Sequence, residues 1–142
     1  MTIHQLSIFI ENKNGTLGKV LDVLREAGIQ IIASTIADTV EYGIYRIICD
    51  KPGAAFRLLK EAGLSVTMSD VFAIKLDNAP GQAARVVALF SHNKINISYL
   101  YSFLFNGKGI LIFRVDNTDK AREVISLNNL PFISEDNLSD VV

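Results

Sequence analysis

Apolar and polar positions alternate at the start of the chain, where Leu6, Ile8 and Ile10 are separated by Ser7 and Phe9 and preceded by Gln5. A period of two predicts a strand with one face turned inward. Phe72, Ile74 and Leu76 repeat the pattern. After Gly15 the spacing becomes helical. Leu17, Val20, Leu21 and Leu24 form one stripe, with Lys19, Asp22, Arg25 and Glu26 opposite. Ala83, Val86, Val87 and Phe90 form the matching stripe further on. Asn14 suits the N-cap of the first helix and Gly28 its C-terminal stop.

Two strand-like runs follow each helix, over residues 29–38 and 42–49 in the first half and 95–105 and 108–115 in the second. Each pair predicts a hairpin. Asn106-Gly107 marks the second one, because a two-residue type I′ turn needs positive φ at both positions. A second helix then places Ala55, Leu58, Leu59 and Ala62 inward, and Ala121, Val124 and Ile125 in the later copy. Pro52 fits as its first helical residue and Thr118 as an N-cap. Short last strands are expected near residues 64–69 and 130–134.

The same order of elements twice over reflects an internal repeat at an offset of 66 residues, without a gap. Ile8 meets Ile74, Asn12 meets Asn78, Gly15 meets Gly81, Ile29 meets Ile95, Gly43 meets Gly109 and Asp50 meets Asp116. The predicted fold is therefore α+β: two tandem ferredoxin-like βαββαβ units, each an antiparallel sheet with its helices on one face. The expected domains are residues 1–70 and 71–142. A unit of this size buries only roughly 60% of its extended surface, so the two are expected to pack in a fixed geometry.

The charges sum to 14 Lys and Arg against 15 Asp and Glu, a net of −1, and apolar residues make up 49%. That composition predicts a compact folded chain. Basic residues are scattered singly, which argues against nucleic acid as a partner, since that affinity comes from clustered cations. Tyr99, Tyr101, Phe103 and Phe105 share one face of a predicted strand, but without flanking basic residues they read as a buried sheet face rather than a base-stacking platform. No apolar run approaches the ~20 residues that span a bilayer, and no leader is visible, so a cytoplasmic protein is expected.

The residues point away from catalysis. His4 and His92 occupy non-equivalent positions, and Cys49 has no second cysteine, so neither a metal site nor a cofactor is expected. Asp22, Glu26, Glu61 and Glu123 fall on polar helix faces. The feature with chemistry is the turn between first strand and first helix, Asn12-Lys13-Asn14-Gly15-Thr16-Leu17 and Asn78-Ala79-Pro80-Gly81-Gln82-Ala83. Backbone N–H groups at a helix start, with glycine allowing close approach, suit a carboxylate.

These residues resemble the ACT domain, a ligand-sensing module of amino-acid metabolism. Its signature is a strand, then Asp-Arg-Pro-Gly-x-Leu, then a helix ending in Gly-Ile-Asn-Ile. Here the turns are followed by Gly28-Ile29-Gln30-Ile31 and by Lys94-Ile95-Asn96-Ile97. Asn14 replaces the family's Pro, Gln30 its Asn, and Ala83 its Leu. The resemblance implies a free amino acid bound where two such domains meet, between the turn of one and the start of the second strand of its neighbour. The implied ligand-binding residues are Asn12, Asn14, Gly15, Thr16, Leu17, Gln30 and Ile31, with Asn78, Gly81, Gln82, Ala83, Ala84, Asn96, Ile97 and Ser98. Main-chain N–H groups would take the carboxylate, and asparagine oxygens the ammonium.

Two modules fill the 142 residues, so the expected role is a non-enzymatic sensor whose target is a separate metabolic enzyme or regulator. A homodimer is expected, because the second strand of such a unit leaves a pairable edge. The alternative is a ligand-free interaction module that homo-oligomerises or docks an enzyme. An acylphosphatase-like enzyme would need an arginine at the first turn, where Lys13 stands.

Overall fold

A computed structural model of the chain describes residues 1–11, 13–38 and 41–141. The elements in order are β1 (Thr2–Glu11), α1 (Thr16–Glu26), β2 (Ile31–Asp38), β3 (Tyr42–Cys49), α2 (Pro52–Glu61), β4 (Val66–Asp77), α3 (Gln82–His92), β5 (Ile97–Phe105), β6 (Lys108–Val115) and α4 (Thr118–Leu127), with a 3-10 helix at Glu135–Val141. Among the described residues no helix is long and apolar enough to cross a membrane. The chain divides into two compact units, His4–Ser69 and Asp70–Val141, the latter joined by Met1–Ile3.

In the first unit the strands run β2-β3-β1, both pairs antiparallel. Leu6, Ile8 and Ile10 from β1 and Tyr45 and Ile47 from β3 meet Val20 and Leu24 of α1 and Ala55 and Leu59 of α2 in one buried cluster. Both helices therefore cover the same sheet face. Phe9 N–H donates to the Ser65 carbonyl at 2.9 Å, which places the chain beyond α2 on the side of β1 opposite β3. The second unit repeats this order as β4-β6-β5 around Phe72, Ile74, Phe90, Leu111, Phe113 and Ile125. Its Lys75 N–H donates to the Pro131 carbonyl at 2.8 Å, 66 residues on from the Phe9–Ser65 bond.

Three expectations need correction. Residues 130–134 form a single bridge, Ile74 to Phe132, and not a strand, because Pro131 brings no N–H and the chain then turns into the 3-10 helix. Asn14 does not cap α1. Gly15 holds that position at φ 91°, with no side-chain cap. Thr118 is the first residue of α4, and the cap is Asn117, whose side chain accepts from Lys120 N–H. Residues 66–77 form one uninterrupted strand through Ser69 and Asp70. The Asn106-Gly107 hairpin takes positive φ at both residues, as the turn type requires.

Candidate functional site at the strand-helix turns

Each turn is built the same way. In the first, Lys13 N–H donates to the Glu11 carbonyl at 2.8 Å, Gly15 adopts φ 91°, and α1 opens with Lys19 N–H to the Gly15 carbonyl at 3.0 Å. In the second, Ala79 N–H donates to Asp77 at 2.9 Å, Gly81 adopts φ 86°, and Arg85 N–H meets the Gly81 carbonyl at 3.0 Å. A Cβ added at either glycine would meet nothing within 4 Å, so backbone conformation and not crowding requires glycine there. Among the described residues neither helix has a side-chain cap. The N–H groups of Thr16, Leu17 and Gly18, and of Gln82, Ala83 and Ala84, therefore lack an intrahelical acceptor and carry the positive end of the helix dipole.

Beside each turn lies a cavity on the helix-bearing face of the sheet. In the second unit it measures ≈ 270 Å³ and is walled by Asn78, Gln82 and Ala83 of the turn, Ser102 to Leu104 of β5, and Gly109 and Leu111 of β6. Its counterpart in the first unit measures ≈ 200 Å³ between Leu17, Ile36, Asp38 and Gly43. Leu17 occupies space that Ala83 leaves open. A third cavity, ≈ 730 Å³, opens in the first unit between Asn14, Gly15 and Thr16, the mutually tilted rings of Phe9 and Tyr42, and Gly63 to Ser65. Phe9, Tyr42 and Lys19 were not among the residues expected from sequence. Their signal was faint, since an aromatic on the polar side of a strand carries no motif.

The acids at the ends of β1 and β4 are paired. Lys13 lies 2.7 Å from Glu11, and Lys108 contacts Asp77 across the strands. Hydrogen bonding from the lysine, reinforced by its charge, holds each carboxyl below its usual range.

The sequence-predicted residues do not all meet within a unit. Asn78, Gln82 and Ala83 share one cavity, and Asn14, Gly15 and Thr16 another, while Gly81 and Ala84 belong to the turn and helix start beside the first. Leu17 faces both its cavity and the core. Asn12 lies outside the described residues. Gln30, Ile31, Asn96, Ile97 and Ser98 sit at the other end of β2 and β5. There Gln30 N–H donates to the Asp50 carboxylate at 2.9 Å and its carbonyl accepts from Asp50 N–H at 3.1 Å. Asn96 makes the same pair of bonds with Asp116, at 3.0 and 3.1 Å. Asp50 and Asp116 were visible in the repeat, although no role was assigned to them. Their carboxylates fasten the start of one strand to the end of its neighbour.

Over residues 1–142 the sequence matches the family described as an ACT domain pair. The chain belongs to that family. The ACT pair is also similar to the crystal structure of protein BT0572 from Bacteroides thetaiotaomicron, with 36% identity and a TM-score of 0.92 over 97% of this chain and 96% of that one. The ligand-free regulatory subunit of aspartate kinase from Thermus thermophilus is similar at 15% identity and TM-score 0.62, over 87% of this chain and 91% of that one. Aspartate kinase from Clostridium acetobutylicum is similar at 16% identity and TM-score 0.56, over 90% of this chain and 33% of the enzyme. With these last two the ACT pair shares the fold. No curated protein sequence matches it.

Proposed function

We propose that this ACT pair is a cytoplasmic, non-enzymatic sensor that binds a free amino acid at its strand-helix turns and regulates a separate enzyme or regulator of amino-acid metabolism. One observation carries the reading. Two uncapped helix starts, each entered through a glycine at positive φ, recur at the same register and each borders a cavity. The N–H groups of residues 82–84 would hold the carboxylate, and the Asn78 side-chain oxygen and the Asp77 carboxylate would receive the ammonium. The first turn offers residues 16–18 in the same way. Membership of the family and the likeness in fold to a regulatory subunit of aspartate kinase support regulation over catalysis. Regulation then requires different affinity for two states of the sensor or its complex.

The deciding experiment is a thermal-shift screen against the twenty amino acids, followed by calorimetry. At about 100 times Kd a ligand of the native state adds ~2.7 kcal/mol, expected here to raise Tm by roughly 5 to 11 °C. Ala83→Leu, which fills the second cavity, should abolish the shift if that turn is occupied. Leu17→Ala, which enlarges the first, should not. A flat screen with folded protein overturns the reading and favours a ligand-free interaction module, for which the exposed leucines of β5 are the observation.

A further inference from the structure

The sheet of the second unit has buried residues on both faces. Ile74, Leu111 and Phe113 point to the helices and belong to their core, while Ala73, Ile110 and Ile112 alternate with them and are buried on the opposite side. The segment after α4 lies against that side. Ile133 N–H donates to the Ala73 carbonyl at 2.8 Å, and the side chains of Ile133 and Leu138 are buried. In the first unit the chain after α2 runs on as β4 instead of turning into a 3-10 helix.

Between this segment and the sheet lies a cavity of ≈ 320 Å³ that the amino-acid reading does not use. Phe105, Ile110, Phe132 and Ile133 form its apolar wall. Its polar groups are mostly donors. Lys75 makes no ion pair among the described residues. The Asn137 side-chain oxygen accepts from Ser134 Oγ, which leaves its amide N–H groups to donate. Lys108 also borders the cavity, but it contacts Asp77. Among the described residues no carboxylate lines the wall. Sixty-six residues earlier, Lys75 and Lys108 are matched by Phe9 and Tyr42, so this charge belongs to the second unit.

We propose that this cavity binds an aromatic carboxylate that carries no ammonium. Its carboxylate sits on the Lys75 ammonium and the Asn137 amide, and its ring lies against Phe105 and Phe132. Size, charge and the missing acid each narrow the class. Small-molecule sites span roughly 300–1,000 Å³, and a cavity at the lower end of that range fits a ligand of one ring. One uncommitted lysine matches one negative charge, which favours a carboxylate over a phosphate ester carrying about −1.5 to −2. A free amino acid would set its ammonium beside Lys75 with no carboxylate to receive it. The site is therefore separate from the strand-helix turns and does not depend on what they bind.

Calorimetry of the full chain against hydrocinnamate, which is phenylalanine without its ammonium, tests the assignment. Saturable binding is expected, tighter than that of phenyl phosphate or of hexanoate, which lacks the ring. Lys75→Glu should weaken it by roughly tenfold or more, while Lys75→Arg retains it. Lys75 is exposed, so neither variant disturbs the core, and retained far-UV circular dichroism checks this. In an NMR titration the probe should move the amide signals of Asn106, Ile133 and Asn137 and leave those of Gln82 to Ala84 in place. Absence of binding, undiminished binding by Lys75→Glu, tighter binding of phenyl phosphate, or shifts confined to residues 82–84 overturns the proposal. The sensor is read separately. An amino acid that moves residues 82–84 while hydrocinnamate does not bind removes this site and leaves the sensor. Hydrocinnamate shifts at Ile133 and Asn137 with a flat amino-acid screen do the opposite.

Discussion

Leu24 in α1 and Phe90 in α3 occupy the same place in the two units, yet they fill it with different shapes. In the first core Leu24 joins Val20, Leu59 and other aliphatic side chains, with Tyr45 buried among them and Phe56 packed at the edge. In the second, Phe90 meets Phe113 edge-on at 5.1 Å, and Phe113 stacks on Phe72 at 5.7 Å. The backbone bonds around the two differ little. Ile29 N–H reaches the Leu24 carbonyl at 3.0 Å, and Ile95 N–H reaches that of Phe90 at 3.0 Å. What the repeat preserves is therefore the hydrogen-bonded scaffold, including Gly15 with Gly81 and Asp50 with Asp116. The side chains filling the core, lining the turns and facing outward from the edges are what separate the units. That divides the molecule into positions that set the fold and positions free to set binding.

Replacing the core residues should give the largest effects and show whether the two cores are equally dependent on their anchors. Phe90→Ala is expected to cost about 3–5 kcal/mol, since it removes a fully buried ring and its aromatic contact. Leu24→Ala should cost about 2–5 kcal/mol, toward the lower end, where flanking aliphatic side chains can close on the space. Urea denaturation of both variants checks the order. Equal losses would show that the phenylalanine cluster adds nothing beyond buried area.

The helix starts offer a smaller contrast. Asn117 caps α4 by accepting from Lys120 N–H at 3.1 Å, while the corresponding Lys51 gives α2 no side-chain cap. Asn117→Ala should lose about 1 kcal/mol, and Lys51→Asn should gain a comparable amount. If Lys51→Asn leaves the denaturation midpoint unmoved, Pro52 has already set the entry to α2 and the two starts are not interchangeable.

Much of this architecture was legible because periodicity and turn chemistry act locally. The alternation of Leu6, Ile8 and Ile10, the stripes of α1 and α3, and Asn106-Gly107 each fix their element within a few residues. Fold class followed from the repeat, and the family from the resemblance of the two strand-helix turns and of residues 28–31 and 94–97 to the ACT signature. What sequence did not disclose depends on contacts made at a distance. The choice between Asn14 and Gly15 as the cap rests on a positive φ that either residue tolerates. Loss of the last strand depends on where Pro131 falls against β4. The separation of the turn residues from Asn96, Ile97 and Ser98 is a matter of strand length, and a motif written along one line conceals it. Asp50 and Asp116 stood in the repeat, but their partners lie 20 residues earlier.

The smallest effect concerns the acids at the ends of β1 and β4, where equivalent positions hold Glu11 and Asp77. Both carboxyls are held below their usual range by a lysine's hydrogen bond and then by its charge. A group whose folded pKa is depressed stabilises the fold above its unfolded pKa, and that contribution disappears as pH falls through the lowered folded value. The two pairs should nonetheless contribute unequally. Glu11 and Lys13 are two residues apart and can still attract each other in the unfolded chain, which cancels part of the difference. Asp77 and Lys108 are opposed only by the pairing of β4 with β6, and unfolding separates them. Carboxyl titrations followed by NMR should show Lys108→Met returning Asp77 toward its ordinary value while leaving Glu11 alone, and Lys13→Met doing the reverse. Strong salt should shrink both shifts, since the groups are exposed. Acid should then lower the urea midpoint less in Lys108→Met than in the unaltered chain, with Lys13→Met closer to the unaltered chain. The opposite order would show that the local pair is made by folding and that the cross-strand pair is not.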